Sequence, residues 1–529
     1  MKFRRAASLG LVAAMAMSMT AFADDATAAV KGANADPANT QVTDETITIG
    51  LASEPADLWG AGAGTTANES MIINGAILDT LVAKDQTTGE IVPELATEWN
   101  WDDETHLTFT IRDGVTMTDG SPLTADDVAY SGNVWMEKSA TSDTGRFLSG
   151  VEKKDDTHVT FEFNVKAPAM LEMMTMTNFG IVSEDEVNAL GGVEAATKNP
   201  VMGCGKYKFV NWTQGQSITL ERNDNYWNPD WKGYYKTIVL TFTNDAAARE
   251  MAVEAGDAQV AYDMPVVQAA TYVANDNVSV IAHTFGQVSH LWYNMTDGHA
   301  TKDLAVRQAI DKALDFNALA QVGTAGFGKQ ALGYFEESSP YYNQTYTEDE
   351  RAVDVEGAKK LLEDAGIATD GSVKLTALGM QDSVPMYTVM QENLRAIGLP
   401  LDIQSVDTPT FVQGAFGGDY DIIIVGEYTA ERYPTLLCFL QQSVIDSGFI
   451  IGGPKVTTPE IDAAITQLIE ETDEAKAKEE AGALEQTMKE QCIVSNLYPE
   501  MKAVILGKNI KGYTTRERGF MDITNFYAE

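Results

Sequence analysis

Cysteine is nearly missing from this chain: 529 residues carry three, at 204, 438 and 492, with no Cys-x-x-Cys spacing among them. That excludes a thiolate zinc site and a disulfide-dense scaffold. The count permits one bridge, with Cys438 and Cys492 the better pair, but three buried thiols are the plainer expectation. Histidine is almost as scarce. Of His106, His158, His283, His290 and His299, only His283 and His290 lie close in sequence. A metal or haem role for His290 is weaker than that of an ordinary strand or loop histidine. Basic residues are few as well, 37 Lys+Arg against 77 Asp+Glu, for a formal charge of −40. A surface this acidic repels phosphate backbones and anionic lipid heads, so neither nucleic acid nor a membrane surface is the expected partner. Beyond the N-terminus no segment approaches 18 uninterrupted apolar residues, the length a membrane-spanning helix needs. Catalytic signatures are missing too, with no Gly-x-Ser-x-Gly, His-Glu-x-x-His or Gly-x-x-x-x-Gly-Lys-[Ser/Thr]. With 77 acids a glycosidase-like carboxylate pair arises by chance and carries no information. The expectation is therefore no catalytic residue, no metal and no cofactor; a secreted hydrolase is the rival class, and it lacks a fixed nucleophile or acid/base pair.

What is present is substantial. Hydrophobic residues make up 44% of the chain, enough for real cores in two to four domains at roughly 100 to 200 residues each. At the N-terminus, Lys2, Arg4 and Arg5 precede the apolar run Leu9 to Met19, and Ala21-Phe-Ala23 supplies small residues before Asp24. This pattern predicts a secretory signal peptide, residues 1–23, cleaved after Ala23. No cysteine stands at the cleavage site, so lipid anchoring through an N-terminal cysteine is not expected. The mature protein is then free in the periplasmic space, or outside the cell where there is no outer membrane. Residues 24–43 read as a flexible leader.

Folded sequence begins at Glu45-Thr-Ile-Thr-Ile-Gly-Leu51, an alternating strand, and further strands are predicted at His106–Arg112 and His158–Val165. Between them Thr124 caps a helix whose first turn holds Asp126 and Asp127. In the second half, Val306, Ala309, Ile310, Ala313 and Leu314 form one apolar stripe on a helix opened by Asp303. A helix over Val355–Ala365 stops at Gly366. Val373–Leu378, a helix near Met386–Ile397, Leu401–Val406 and Tyr420–Val425 then read as β-α-β-β units, and Thr458-Pro459-Glu460 opens a long amphipathic helix. The result is an α/β protein of more than one lobe. Two compositional features have ordinary readings: Gly60-Ala-Gly-Ala-Gly-Thr65 lacks the helix and spacing of a phosphate loop, and Met170, Met173, Met174 and Met176 fit a deformable apolar surface better than a soft-metal site.

Four longer strings are more specific. Gly114-Val-Thr-Met-Thr-Asp-Gly-Ser-Pro-Leu-Thr-Ala-Asp-Asp-Val-Ala-Tyr-Ser131 closely resembles the signature of the family 5 extracellular solute-binding proteins, the oligopeptide-, dipeptide- and nickel-binding receptors of ABC importers. Ile91-Val-Pro-Glu-Leu-Ala-Thr-Glu-Trp99, Gly203-Cys-Gly-Lys-Tyr-Lys-Phe209 and Val306-Arg-Gln-Ala-Ile310 resemble further segments of that family in the same order. The resemblance runs from about residue 46 to 506. It implies a bilobal periplasmic-binding-protein fold of the class II, or cluster C, type with a third inserted domain. Domain I would be built from 44–82, 200–287 and 505–529, domain II from 83–199, and domain III from 288–504. Ligand would be held in an interlobe cleft that closes about two hinge strands, near Val288–Asn294 and Tyr498–Val504. The implied function is a monomeric, non-catalytic receptor that captures oligo- or dipeptides and delivers them to ABC permease subunits; an oligosaccharide or a metal chelate is the alternative cargo.

Site residues follow from the resemblance position by position. Peptide-binding members follow a strand ending in Gly-Trp with an Asp four residues after the Gly, which pairs with the peptide ammonium, and a Pro eight after it. Here Gly426 and Pro434 keep that spacing, but Glu427 stands at the Trp position and Ala430 at the Asp position, with Glu431 next to it. Glu427 and Glu431 are thus both candidates for the ammonium partner, against the reading that both are solvated loop acids; Tyr428, Thr429 and Arg432 share their loop. Tyr262 and Asp263 lie where the family lines its cleft, though a plain surface turn fits equally. Trp292, Tyr293 and Asn294 lie where the chain would enter domain III, and Trp59 offers a further stacking surface.

Overall fold

The computed structural model describes residues 42–529 apart from 56, 60–67, 87, 139–146, 198, 200–202 and 448–454. The signal peptide, almost all of the leader and the glycine run from residue 60 lie outside the described residues. The chain divides into two compact units. The first takes Asp24–Phe285 together with Lys502–Glu529, and the second takes Gly286–Met501. Both passages between them fall inside long strands, an outgoing strand Val278–Tyr293 and a returning strand Val494–Gly507.

In the first unit, Thr46–Leu51 is a central strand, parallel to Thr237–Phe242 on one side and to Val260–Met264 on the other. Its alternation puts Ile47, Ile49 and Leu51 in the core. Ser217–Arg222 and Tyr207–Thr213 continue antiparallel beyond Thr237–Phe242. On the other side Val260–Met264 pairs with Ala503–Leu506 of the returning strand. A separate antiparallel sheet holds Ala96–Trp101, His106–Ile111, His158–Phe163 and Leu148–Lys153. Helix Ala125–Lys138 lies on it, with Trp135 stacked on Phe161 at 5.1–6.0 Å from the rings of Phe179 and Phe161. The long signature string becomes a tight bridge between Thr116 and Pro122 followed by a capping box. Asp127 N–H donates to Thr124 Oγ1 at 3.2 Å and Thr124 N–H to Asp127 Oδ2 at 2.9 Å. In the Gly-Cys-Gly string, a Cβ on Gly205 would sit 2.5 Å from the Ile77 carbonyl oxygen, so the close approach to the end of helix Asn68–Ile77 admits no side chain.

In the second unit the strand order is Leu401–Ser405, Leu375–Gly379, Ile422–Tyr428 and then Gln287–Tyr293 of the outgoing strand. The first three are parallel, and the outgoing strand runs antiparallel to Ile422–Tyr428. Helix Leu304–Ala313 buries its expected stripe and is capped by Asp303. The arginine of its Val-Arg-Gln-Ala-Ile string has a clear use: Arg307 donates to the carbonyls of Cys492, Gln491, Thr301 and Lys302 at 2.8–2.9 Å. It thereby satisfies the free carbonyls at the end of helix Glu474–Gln491. The helix expected to run on from Thr458 ends at Glu470, and Asp473 caps a new one over Glu474–Gln491. Cys204, Cys438 and Cys492 are buried thiols outside any disulfide, and Met170, Met173, Met174 and Met176 belong to the core of the first unit.

Candidate functional site

Register fixes which candidate side chains meet. The outgoing strand pairs Val288 with Glu427, His290 with Val425 and Trp292 with Ile423, so His290, Trp292 and Glu427 share one face of the sheet. Glu427 is fully buried there. Its Oε1 accepts from Trp292 Nε1 at 2.6 Å, and its Oε2 lies 2.7 Å from His290 Nδ1. Burial pushes the Glu427 carboxyl well above its ordinary range, helped by the nearby charge of Glu500, while the indole bond pulls the other way. Burial also pulls His290 down to about 3. Glu427 is therefore not a solvated loop acid: the strand runs to Tyr428, three residues past the expected end, and takes it into the interior.

The opposite face carries Ser289 and Gly426, which are cross-strand partners. Ser289 Oγ donates to Glu500 Oε1 at 2.6 Å. A Cβ on Gly426 would come within 2.2 Å of that same oxygen, so the glycine makes room for the Glu500 carboxylate. Tyr293 lies farther along this face. Its hydroxyl is 2.7 Å from Ser495 Oγ, which in turn donates to Asp311 Oδ1 at 2.5 Å. A serine has one proton to give, so the Tyr293 hydroxyl is the donor. Asp311 also pairs at 3.0 Å with Arg351, whose guanidinium lies between the rings of Tyr346 and Phe316 at 3.6 and 4.0 Å.

The remaining candidates of the second unit are mostly engaged inside it. Asn294 is buried; it donates to the Gly418 carbonyl at 2.9 Å and accepts from Thr296 Oγ1 at 2.7 Å. Thr429 N–H donates to Gly286 O at 2.8 Å. Arg432 donates to Tyr341 Oη at 3.0 Å and pairs with Glu474. Tyr428 and Glu431 are buried. A cavity of about 630 Å³ in this unit is bordered by His299, Lys302, Leu304, Val306, Ile367 and Val373, none of them a candidate.

In the first unit, Tyr262 and Asp263 sit side by side on the strand next to the returning segment. Asp263 is in the left-handed region at φ 56°, and a third of its side chain is open to solvent. It pairs at 3.0 Å with Lys502, a buried lysine that also lies over the Phe285 ring at 4.5 Å. Arg249 Nη2 donates to the Asp263 carbonyl at 3.0 Å. Trp59 is fully buried, with its own left-handed backbone, φ 58°, and its N–H on Asn74 Oδ1 at 2.9 Å. His283 bonds to Tyr513 Oη at 2.6 Å, and burial pulls it down to about 4. Among the described residues, no group of three or more His, Cys, Asp or Glu is placed to hold a metal ion. Ser289, Glu500 and Lys502 lie within the two expected hinge strands, but their contacts were not legible, because the Ser289–Glu500 bond and the Asp263–Lys502 pair each join residues more than two hundred apart.

Comparison with known proteins bears on what this arrangement serves. The chain is 28% identical over 380 residues to protein XP55 of Streptomyces lividans, covering 70% of this chain and 67% of that protein. It is 27% identical over 440 residues to the oligopeptide-binding protein AppA of Bacillus subtilis, covering 76% of this chain and 77% of the relative. Its fold is similar to that of the periplasmic binding protein DppA of Helicobacter pylori in complex with the peptide STSA, with a TM-score of 0.76, 20% identity, and coverage of 92% of this chain and 98% of the other. Among the described residues no helix is long and apolar enough to cross a membrane. Residues 90–441 match the family described as bacterial extracellular solute-binding proteins, family 5, middle region, and with that match spanning most of the chain, the protein belongs to this family of solute receptors.

Proposed function

We propose that this chain is the peptide-capturing receptor of an ABC importer, handing its cargo to membrane permease subunits. The observation that carries this reading is the similarity, over three-quarters of the chain, to a protein named for oligopeptide binding. The likeness in fold to a receptor solved with a bound peptide supports it. Export by the N-terminal segment, action as a free monomer in the periplasmic space or cell exterior, and compaction on binding belong to the same proposal. So does the three-domain division implied by the resemblance. It is supported by the small antiparallel sheet, whose strands all fall between residues 96 and 163, and by the bounds of the second unit.

Within that reading Glu431 is the carboxylate proposed for the ligand ammonium. Both oxygens of Glu427 already face internal nitrogen atoms. Tyr262, Asp263, Trp292, Tyr293, Asn294, Tyr428, Thr429, Arg432 and Trp59 remain proposed as the surrounding shell. The test begins with mass spectrometry of ligand carried through native purification, followed by calorimetry with a short free peptide and its N-acetylated form. Glu431→Gln is expected to weaken the free peptide about a hundredfold or more, the effect of leaving a buried cation unpaired. A wild-type protein that binds both peptides equally, with Glu431→Gln unchanged, sinks the ammonium assignment.

A further inference from the structure

The surroundings of Glu427 decide where its proton is. We propose that Glu427 is a positioning residue held as the uncharged acid, accepting from Trp292 through Oε1 and donating its own O–H from Oε2 to His290 Nδ1, which locks His290 in the Nε2–H tautomer. Three observations converge on this. An indole N–H can only donate, so Oε1 must be the acceptor of the 2.6 Å bond. Oε2 faces a ring nitrogen at 2.7 Å, and one of these two atoms must carry the proton between them. His290, Trp292 and Glu427 are all fully buried, so an ionised carboxylate would have to be compensated by a cation.

Among the described residues no such cation faces the group. On the outgoing strand the titratable neighbour is His290 itself. The returning strand contributes Glu500, whose negative charge disfavours a second anion nearby. An imidazolium–carboxylate pair would be neutral as a whole, but burial, the largest influence on each, opposes charge on both partners and favours the neutral pair over the pull of Glu500 on His290; the Nε2–H is then buried with no hydrogen-bond partner among the described residues. The carboxyl group that the sequence offers as a ligand partner is in this way converted into a neutral two-point brace. One arm holds the Trp292 indole in place and the other fixes the imidazole, on the strand that carries the candidates Trp292 and Tyr293.

The inference rests on the receptor reading only for its affinity readout. The experiment uses the full mature chain, with histidine-selective ¹⁵N labelling. His290 is expected to show an unprotonated Nδ1 and a protonated Nε2, unchanged from pH 5.5 to 8. Glutamine reproduces the neutral acid, with a carbonyl for Trp292 and an N–H for His290. Glu427→Gln should therefore keep this tautomer and melt no lower than the wild type at pH 7, whereas Glu427→Ala should lose the fixed tautomer and melt lower. Where a bound peptide has been found, Glu427→Ala should weaken it and Glu427→Gln restore it. An imidazolium signature or an Nδ1–H tautomer for His290 at pH 7 overturns the proposal. So does a Glu427→Gln chain that fails to fold, or one that folds normally and loses the peptide a hundredfold. If no peptide binds the wild type, the receptor reading fails, while the tautomer and melting comparisons still decide this one.

Discussion

Two buried carboxyl groups in this molecule start from nearly the same contact and are neutralised by different means. Glu427 in the second unit and Asp79 in the first each accept from a tryptophan indole at 2.6 Å, from Trp292 and Trp227 respectively. Glu427 has an imidazole as its other neighbour and, among the described residues, no opposing cation. Asp79 sits in a charged cluster with Glu94, Lys206 and Arg516, and Arg516 also pairs with the buried Asp522 at 3.1 Å. Burial and the charge of Glu94 push Asp79 up to about 7, against the pull of Trp227 and Lys206. A proton therefore does for Glu427 what counter-charge partly does for Asp79. The difference shows that burial by itself does not dictate how an acid is made tolerable; what the register brings alongside decides it.

The contrast is most exposed at Arg516. Replacing it by methionine removes the guanidinium from a cluster of acids and leaves Asp522 without its partner; the expected loss is about 3 kcal/mol, at the low end of the range for breaking a buried pair because the arginine is partly open to solvent. Urea unfolding at pH 7 reads it, and a loss under 1 kcal/mol would mean that the cluster is not held by counter-charge. A smaller effect separates the two acids by their pH windows. A carboxyl raised in the folded state stabilises the fold most below its unfolded value, and that contribution is lost as pH rises toward the folded one. Glu427 is raised well above the ordinary carboxyl range, so Glu427→Gln should flatten the stability profile by up to about 1.4 kcal/mol per pH unit as pH rises above that range. The same slope persisting in the variant would show that Glu427 is ionised in the wild type. The smallest effect belongs to Asp79. Asp79→Asn should flatten the profile between about pH 4 and 7, with the difference fading above pH 7 as the group completes its titration. Chemical denaturation of the two variants across pH gives both slopes.

Much of this architecture was legible from local pattern. Alternation at Thr46–Leu51, the capping box at Thr124 and the stripe on Leu304–Ala313 are interactions between near neighbours, and the structure has them where the pattern put them. The break after Glu470 was written locally as well, in the Asp473 cap, but apolar periodicity on both sides masked it. Glu427 was a different kind of problem. Its strand looked finished at Val425, and nothing within ten residues indicates that His290 and Trp292 extend the pairing and supply its partners. The use of Arg307 was equally hidden, since the helix-end carbonyls it satisfies, those of Gln491 and Cys492, lie some 185 residues away. Family resemblance identified the string without saying what the arginine does.

The division of the chain into Gly286–Met501 and the two flanking stretches also sets an order of assembly. A chain made from its N-terminus has the whole second unit in hand once Met501 has emerged. The first unit, although begun earlier, must still wait for Ala503–Leu506 to pair with Val260–Met264 and for Arg516 to reach the acids around Asp79. Until then it carries an unpaired strand edge and acids that lack their arginine, the features of a segment that stays open and recognisable to folding helpers. The part of the protein that starts first is therefore finished last, and a chain stopped short of residue 502 would leave one unit complete and the other unable to close.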